Sequence, residues 1–180
     1  MEANEAQELK EQAEQGAERA MRPVAFTMSL LAVMVAVTTV LGHRTHTEAV
    51  LYQNKATDQW NEYQAKKIRS YNTGLANDLL KVIAVTDKEA AQKIAAVYVD
   101  HQSKWDEDLK EDQEKARVLE ERVEQAEARA VRFDLSEAML EIGLVITSVT
   151  LLTRSRMYWY LGFIFSAAGI VSAISAFLIK

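Results

Sequence analysis

The chain has 180 residues, enough for about one domain, with 49% apolar residues, 26% charged residues and a net charge of −5. The acidic balance and the lack of a basic patch argue against a nucleic-acid partner, and the absence of cysteine excludes disulfides, thiolate nucleophiles and Cys-ligated metals. One proline and six glycines predict long uninterrupted helices, because these residues are the strongest helix breakers.

The N-terminal segment, residues 1–22, is predicted to be a polar helix or a frayed tail, too polar to bind a membrane by itself. An apolar run follows at 23–41, and Pro23 lies at its boundary, where the first turn of a helix tolerates proline. The 18 residues from Val24 to Leu41 are near the lower limit for crossing a hydrocarbon core. The alternative is a signal peptide, but the preceding residues are long and acid-rich, unlike a short basic leader. We therefore predict transmembrane helix 1.

Residues 42–134 are predicted to leave the membrane and return as a helical hairpin with its turn near 84–88, where Thr86 to Glu89 match a capping box. The apolar residues of the ascending arm follow a period slightly above 3.6; they include Tyr52, Ala56, Trp60, Tyr63, Tyr71, Leu75, Leu79 and Val82. The descending arm has heptad spacing that predicts a coiled-coil seam. The seam consists of Trp105, Leu109, Asp112, Ala116, Leu119, Val123, Ala126, Ala130 and Phe133.

Asp112 is the single charged residue of that seam, and a buried carboxylate needs a partner or water. Folding the hairpin about residue 86 places Trp60 beside Asp112, so that the indole N–H would donate to it. The alternative is that Asp112 faces solvent where the seam loosens locally. A polar seam residue of this kind can set the register of a helix pair.

Two further apolar runs predict transmembrane helix 2 at 135–152 and transmembrane helix 3 at 157–180, joined by a short basic turn at 153–156. Aromatic residues that favour membrane interfaces open the third run: Tyr158, Trp159 and Tyr160. Arginines flank the apolar runs on the side of the membrane that carries the N-terminus and this turn. Because arginines favour the cytoplasmic side, they predict a cytoplasmic N-terminus and a periplasmic hairpin. Other arginines flank the opposite side and oppose that orientation; they are Arg44, Arg129 and Arg132.

An intramembrane acidic face is predicted on helix 2, where Asp134, Glu137 and Glu141 are spaced i, i+3 and i+7. Glu141 lies about 9 Å beyond Leu135, at 1.5 Å per residue. Intramembrane acids are costly and often functional, so a cation or proton site and an inter-subunit ion pair are both open. The structural alternative is a carboxyl that is protonated or hydrogen-bonded to a neighbouring helix.

His43 and His46 are weak metal candidates beside the first run, because a metal site needs at least three convergent ligands. The alternative is an interfacial polar cluster facing Glu127 and Arg129. No metal site is therefore assigned, and no cofactor is expected. The chain has no P-loop, GxSxG, HExxH or glycine-rich dinucleotide turn, so an enzyme is not expected.

Small residues line one face of each of two predicted spans. Small-residue faces allow close helix–helix contact in lipid, and these serve packing within a protomer or between protomers equally well. The face of span three consists of Gly162, Ser166, Gly169 and Ala173, and that of span one consists of Ser29, Ala32 and Ala36.

Three stretches, Arg22–Arg69, Arg132–Arg154 and Tyr158–Gly162, resemble an uncharacterised family of bacterial inner-membrane proteins, domain of unknown function four-three-three-seven. The resemblance implies a bacterial source and an inner-membrane location, and it implies no activity.

The predicted fold is an all-α membrane protein with three transmembrane helices and a long antiparallel coiled-coil hairpin between the first and second. The predicted function is a homo-oligomeric scaffold or an accessory subunit, whose partners are the lipid bilayer, further copies of the chain or another membrane complex. The alternative is an ion-conducting or proton-coupled protein that uses Glu141 and Glu137. A third hypothesis is a metal or ligand sensor at His43 and His46.

Overall fold

The computed structural model describes the backbone of residues 2–83 and 86–179 and the side chains of residues 20–83 and 86–179. The all-α prediction is confirmed for these residues. The helices are α1 (Glu2–Val82), α2 (Lys88–Thr153) and α3 (Arg156–Ala176). Each contains a stretch that is long and apolar enough to cross a membrane, so the three candidate spans are also confirmed by length and composition.

The chain divides into two compact units. The first unit comprises residues 1–47 and 125–180, and the second comprises residues 48–124. All three apolar runs belong to the first unit, and the charged middle of the chain forms the second.

Pro23 was expected at the first turn of a helix, but it lies inside α1, which begins at Glu2. The expected helix start is therefore wrong. A proline inside a helix removes one backbone N–H donor and crowds the preceding turn. The Thr27 hydroxyl donates to the Pro23 carbonyl oxygen at 2.8 Å, and Val24 next to the proline is buried.

The hairpin turn was predicted near 84–88, and of these residues Ala84 and Val85 lie outside the described part of the chain. The residue that caps α2 is Asp87 and not Thr86. Asp87 Oδ1 accepts a hydrogen bond from the backbone N–H of Ala90 at 3.0 Å. Because α2 begins at Lys88, Asp87 occupies the position from which a side-chain oxygen reaches the third helical N–H.

Asp87→Ala is expected to destabilise the first turn of α2 by about 1 kcal/mol, since the Ala90 N–H loses its acceptor. Hydrogen exchange of the amides at 88–92 measures this effect as faster exchange. Thr86→Ala is the control and should leave those rates unchanged. A larger effect from Thr86→Ala than from Asp87→Ala would show that the cap is assigned to the wrong residue.

The connection between α2 and α3 consists of Arg154 and Ser155, within the predicted basic turn. Arg154 has a φ of 53°, the left-handed region that a non-glycine residue adopts at a modest energetic cost. So short a connection makes α2 and α3 antiparallel neighbours in the first unit.

In the second unit, α1 and α2 run antiparallel, because contacts from successive positions of α1 reach earlier and earlier positions of α2. The Arg122 guanidinium lies over the Tyr52 ring, Lys66 contacts Asp112, and Gly74 lies beside the Gln102 side chain. Among the buried or half-buried residues of this part of α1, ten repeat at intervals of three and four. They are Ala49, Tyr52, Ala56, Gln59, Tyr63, Lys66, Ser70, Thr73, Asn77 and Leu80.

Candidate functional site

The small-residue face of α3 packs against α2 within the protomer. Gly162, Ser166 and Gly169 are buried, and Ala173 is half-buried. A Cβ atom at Gly162 would lie 2.8 Å from the carbonyl oxygen of Gly143, and one at Gly169 would lie 2.9 Å from that of Ser136. The two backbones are therefore too close for any side chain at these glycines. At one end of this contact the Ser172 hydroxyl donates to the Arg132 carbonyl oxygen at 2.8 Å.

The small-residue face of α1 has different surroundings. Ser29, Ala32 and Ala36 are all exposed. From the sequence, each face could pack within the protomer or between protomers. In the structure the α3 face packs within the protomer, whereas the α1 face is exposed. The side of α1 that packs inward in this unit carries larger residues, including Val24 and Leu31, which are buried.

Two of the three predicted intramembrane acids are hydrogen-bonded to α1. His46 Nε2 lies 3.0 Å from Asp134 Oδ2, and the Thr39 hydroxyl lies 2.6 Å from Glu137 Oε1. The third, Glu141, is exposed and faces away from the protomer. The acidic face therefore lies beside α1 at its first two positions and points outward at its third.

Glu141 lies well inside the apolar runs of both neighbouring helices. A Cβ atom at Gly143 would contact Gly162 and Ser166 of α3, and a Cβ atom at Gly169 of α3 would contact Leu140. Because Glu141 lies between Leu140 and Gly143 on α2, it is level with the centre of the apolar run 157–179. On α1, the contact of Thr39 with Glu137 makes Glu141 level with about Val35, inside Val24–Leu41. The contacts of α2 thus place an outward-facing carboxyl deep within the apolar part of the unit.

The two candidate metal ligands do not converge. Both histidines are exposed, but His46 is paired with Asp134, whereas the His43 side chain pairs with no described side chain. Within residues 20–83 and 86–179, no group of three or more His, Cys, Asp or Glu side chains is arranged to hold a metal ion. His46 faces Asp134 rather than the suggested Glu127 and Arg129, and the Arg129 side chain instead donates to the Ile179 carbonyl oxygen at 3.2 Å.

In the second unit, Asp112 is 4% exposed and pairs with α1. Lys66 Nζ lies 2.6 Å from Asp112 Oδ2, and Gln59 Nε2 donates to Asp112 Oδ1 at 3.3 Å. The hydrogen bonds of Lys66 with Asp112 and then with Glu62 raise the pKa of Lys66 above its ordinary value of 10.5. A lysine whose pKa is raised on folding stabilises the folded state at every pH below the ordinary lysine pKa. The contribution of Lys66 to the free energy of unfolding is therefore complete at neutral pH and is lost only in strongly alkaline solution.

The predicted contact of Trp60 with Asp112 is wrong. The Trp60 indole N–H donates to Glu120 Oε1 at 2.8 Å instead. Trp60 follows the inward-facing Gln59 by one residue, which turns its side chain about 100° around the helix axis. Lys66 and Gln59 were not predicted as partners of Asp112, although both share the three-and-four spacing of Tyr52 and Ala56, the signal that would have found them.

The nine predicted seam residues are all buried or half-buried, whereas the residues between them on α2 are mostly exposed. Six of the nine are 6% exposed or less: Asp112, Ala116, Val123, Ala126, Ala130 and Phe133. The other three, Trp105, Leu109 and Leu119, are half-buried.

Four apolar residues of the ascending arm lie outside the contact with α2. Tyr71, Leu75, Leu79 and Val82 are exposed by 67%, 61%, 49% and 85%. Together with Ile68, which is also exposed and which the sequence argument did not single out, they follow each other at intervals of three or four residues. We call these five residues the outer stripe. The buried or half-buried residues at this level include the polar Lys66, Ser70, Thr73 and Asn77, together with the apolar Leu80.

Comparison with known proteins gives a family match. The family model described as Domain of unknown function (DUF4337) matches residues 20–179. No curated protein and no solved structure matches the chain.

Proposed function

Because the chain belongs to the family Domain of unknown function (DUF4337), whose description gives no activity, we propose its function from its own surfaces: a homo-oligomeric membrane scaffold or accessory subunit, and not an enzyme. In this proposal the three apolar runs hold the protein in the membrane. The second unit joins copies of the chain, or joins the chain to another membrane complex.

The outer stripe carries this proposal. It lies in the second unit, outside the three apolar runs, and in this proposal lipid does not cover it. A continuous apolar stripe on a water-exposed helix marks a surface for protein–protein contact, since its burial removes apolar area from water. The spacing of Ile68, Tyr71, Leu75, Leu79 and Val82 is that of a helix-packing face, so the matching occupant is another helix.

The paired helices of the second unit would act as the rigid support for this stripe. We propose that they form an antiparallel coiled-coil hairpin, because the buried positions on both helices repeat at intervals of three and four. The pair of the half-buried Lys66 with the buried Asp112 supports a single register, since a slip of the helices would leave the carboxylate without its counter-charge.

We propose that the protein resides in a bacterial inner membrane with the N-terminus in the cytoplasm and residues 42–134 in the periplasm. Four of the basic residues near the ends of the apolar runs support this orientation, against the three arginines on the opposite side. Arg19, Arg22, Arg154 and Arg156 would lie on one side, and the positive-inside rule weights such short flanks most heavily.

Adding charge to the outer stripe tests the scaffold. We expect the detergent-extracted wild-type protein to have a mass that is a multiple of the 20.3 kDa chain, and Leu75→Glu with Leu79→Glu to lower that mass, because two buried carboxylates disfavour an apolar contact. Light scattering coupled to size-exclusion chromatography measures both. Asn72→Glu with Gln92→Glu is the control, since it adds the same charge at exposed positions off the stripe. A wild-type mass of 20.3 kDa would refute self-assembly.

A further inference from the structure

The outward-facing carboxyl of Glu141 lacks a partner in its own protomer. Of the three acids on its face, Asp134 is bonded to His46 and Glu137 to Thr39, but Glu141 has no hydrogen bond or ion pair with any described side chain. A polar group at this depth has no water to satisfy it, and leaving it unpaired in hydrocarbon is costly. A partner for Glu141 must therefore come from outside the protomer.

The apolar runs of the chain offer no base at that depth. Neither Val24–Leu41 nor 135–152 nor 157–179 contains lysine, arginine or histidine. The basic residues near the spans lie beyond the ends of these runs; they are Arg22, His43, Arg44, Arg129, Arg132, Arg154 and Arg156. An ion pair between copies is thus not available to Glu141, whereas a pair of carboxyl groups is.

We propose that Glu141 pairs with the same carboxyl of a second copy across a two-fold axis normal to the membrane. Copies inserted in one orientation hold every residue at the same depth, and a two-fold contact places identical surfaces against each other. Two protonated carboxyls that face each other form two hydrogen bonds, each O–H donating to the other group's carbonyl oxygen. This inference rests on the proposed self-assembly and names its contact surface within the membrane.

The surroundings of Glu141 allow two copies to approach closely. Ala138, one turn before Glu141 on α2, is exposed. On α1, Ala32, Thr39 and His46 are spaced at intervals of seven residues, about two helical turns, so they lie on one side of the helix. Ala32 therefore lies on the side of α1 whose Thr39 and His46 contact the acidic face of α2. Ala32 and its neighbour Ala36 are exposed and small, which permits close helix contact in lipid.

Disulfide trapping in native membranes tests the contact, because the 180-residue chain contains no cysteine. Ala138→Cys and Val145→Cys introduce single thiols at exposed positions on either side of Glu141. Oxidation is expected to yield a covalent dimer at twice the 20.3 kDa chain mass, since a disulfide forms only when the two Cα atoms lie within about 7 Å. Ile164→Cys is the matched control. It is 66% exposed at similar depth on α3, and it should remain monomeric.

Substitution of Glu141 in the Ala138→Cys protein separates pairing from mere proximity. Glu141→Gln keeps a donor and an acceptor and should keep the crosslink. Glu141→Leu removes both and should lower the rate of crosslinking by about tenfold, the effect expected for losing interhelical hydrogen bonds in lipid. Circular dichroism of each variant reports whether the helices remain folded.

Three results would overturn the Glu141 contact: no dimer from either cysteine, equal trapping at Ile164→Cys, or an unchanged rate in folded Glu141→Leu. A crosslinked product of another mass would also overturn it by showing that a different protein covers Glu141. If these results appear while the wild-type mass still falls upon charging Leu75 and Leu79, the scaffold proposal survives without this contact. If Ala138→Cys gives a crosslinked dimer but Leu75→Glu with Leu79→Glu does not lower the mass, only the contact within the membrane would be supported.

Discussion

Gly162→Ala is expected to lower the stability of the protein, although it adds only one methyl group. The new Cβ would lie 2.8 Å from the Gly143 carbonyl oxygen and would also meet the Thr147 side chain. A backbone carbonyl cannot move aside as a flexible side chain can, so α2 and α3 must separate. Overpacking of this kind costs about 1–3 kcal/mol, which corresponds to a melting temperature roughly 2–12 °C lower for a chain of this size. Scanning fluorimetry in detergent measures it.

The control for this substitution is Gly42→Ala. A Cβ at Gly42 would be 3.5 Å from Asp134 and 3.6 Å from Phe133, which is ordinary van der Waals contact. We expect this variant to be as stable as the wild type or slightly more stable, because alanine has the higher helix propensity. Equal losses from both substitutions would refute the special role of the α2–α3 approach.

The same contact predicts how two substitutions combine. Gly143→Ala places a Cβ 2.9 Å from the Gly162 carbonyl oxygen, so each glycine meets the backbone of the other. Once α2 and α3 have separated for one methyl group, the second methyl group fits at little further cost. The double variant is therefore expected to lose clearly less than the sum of the two single losses.

Lys66→Met is expected to cost about 3 kcal/mol in the second unit, because it leaves Asp112 buried without its counter-charge. Asp112→Leu combined with Lys66→Met removes both charges and should recover most of that loss, since well-packed apolar residues replace buried ion pairs at little cost. Hydrogen exchange of residues 59–66 and 109–116 reports the opening of this unit directly.

Lys115→Met is the matched control. Lys115 forms an ion pair with Glu111 at 2.7 Å, but both side chains are more than half exposed. Exposed pairs contribute little, so hydrogen exchange should change little. If Lys66→Met behaved like Lys115→Met, Asp112 would have another source of compensation, and the Lys66 pair would not hold the register.

The candidate surfaces differ in how far the sequence revealed them. The nine heptad positions on α2 are each buried or half-buried, since one strong period marks one helix face, whereas their pairing as a coiled-coil seam stays a prediction. On α1, Tyr71, Leu75, Leu79 and Val82 share the period of the ascending arm but are exposed, and most of the buried or half-buried residues at this level are polar. Apolarity shows that a residue favours burial and does not show which neighbour buries it.

The sequence by itself determined the three apolar runs, the helical content and the family, since these follow from composition, spacing and the few breakers. Only the tertiary structure decided which small-residue face packs inside the protomer, that Lys66 and not Trp60 meets Asp112, and that Glu141 faces outward. The physical reason is that a helical period groups residues by face, whereas the partner of a face depends on register and rotation. Those are set by contacts between residues far apart in the chain.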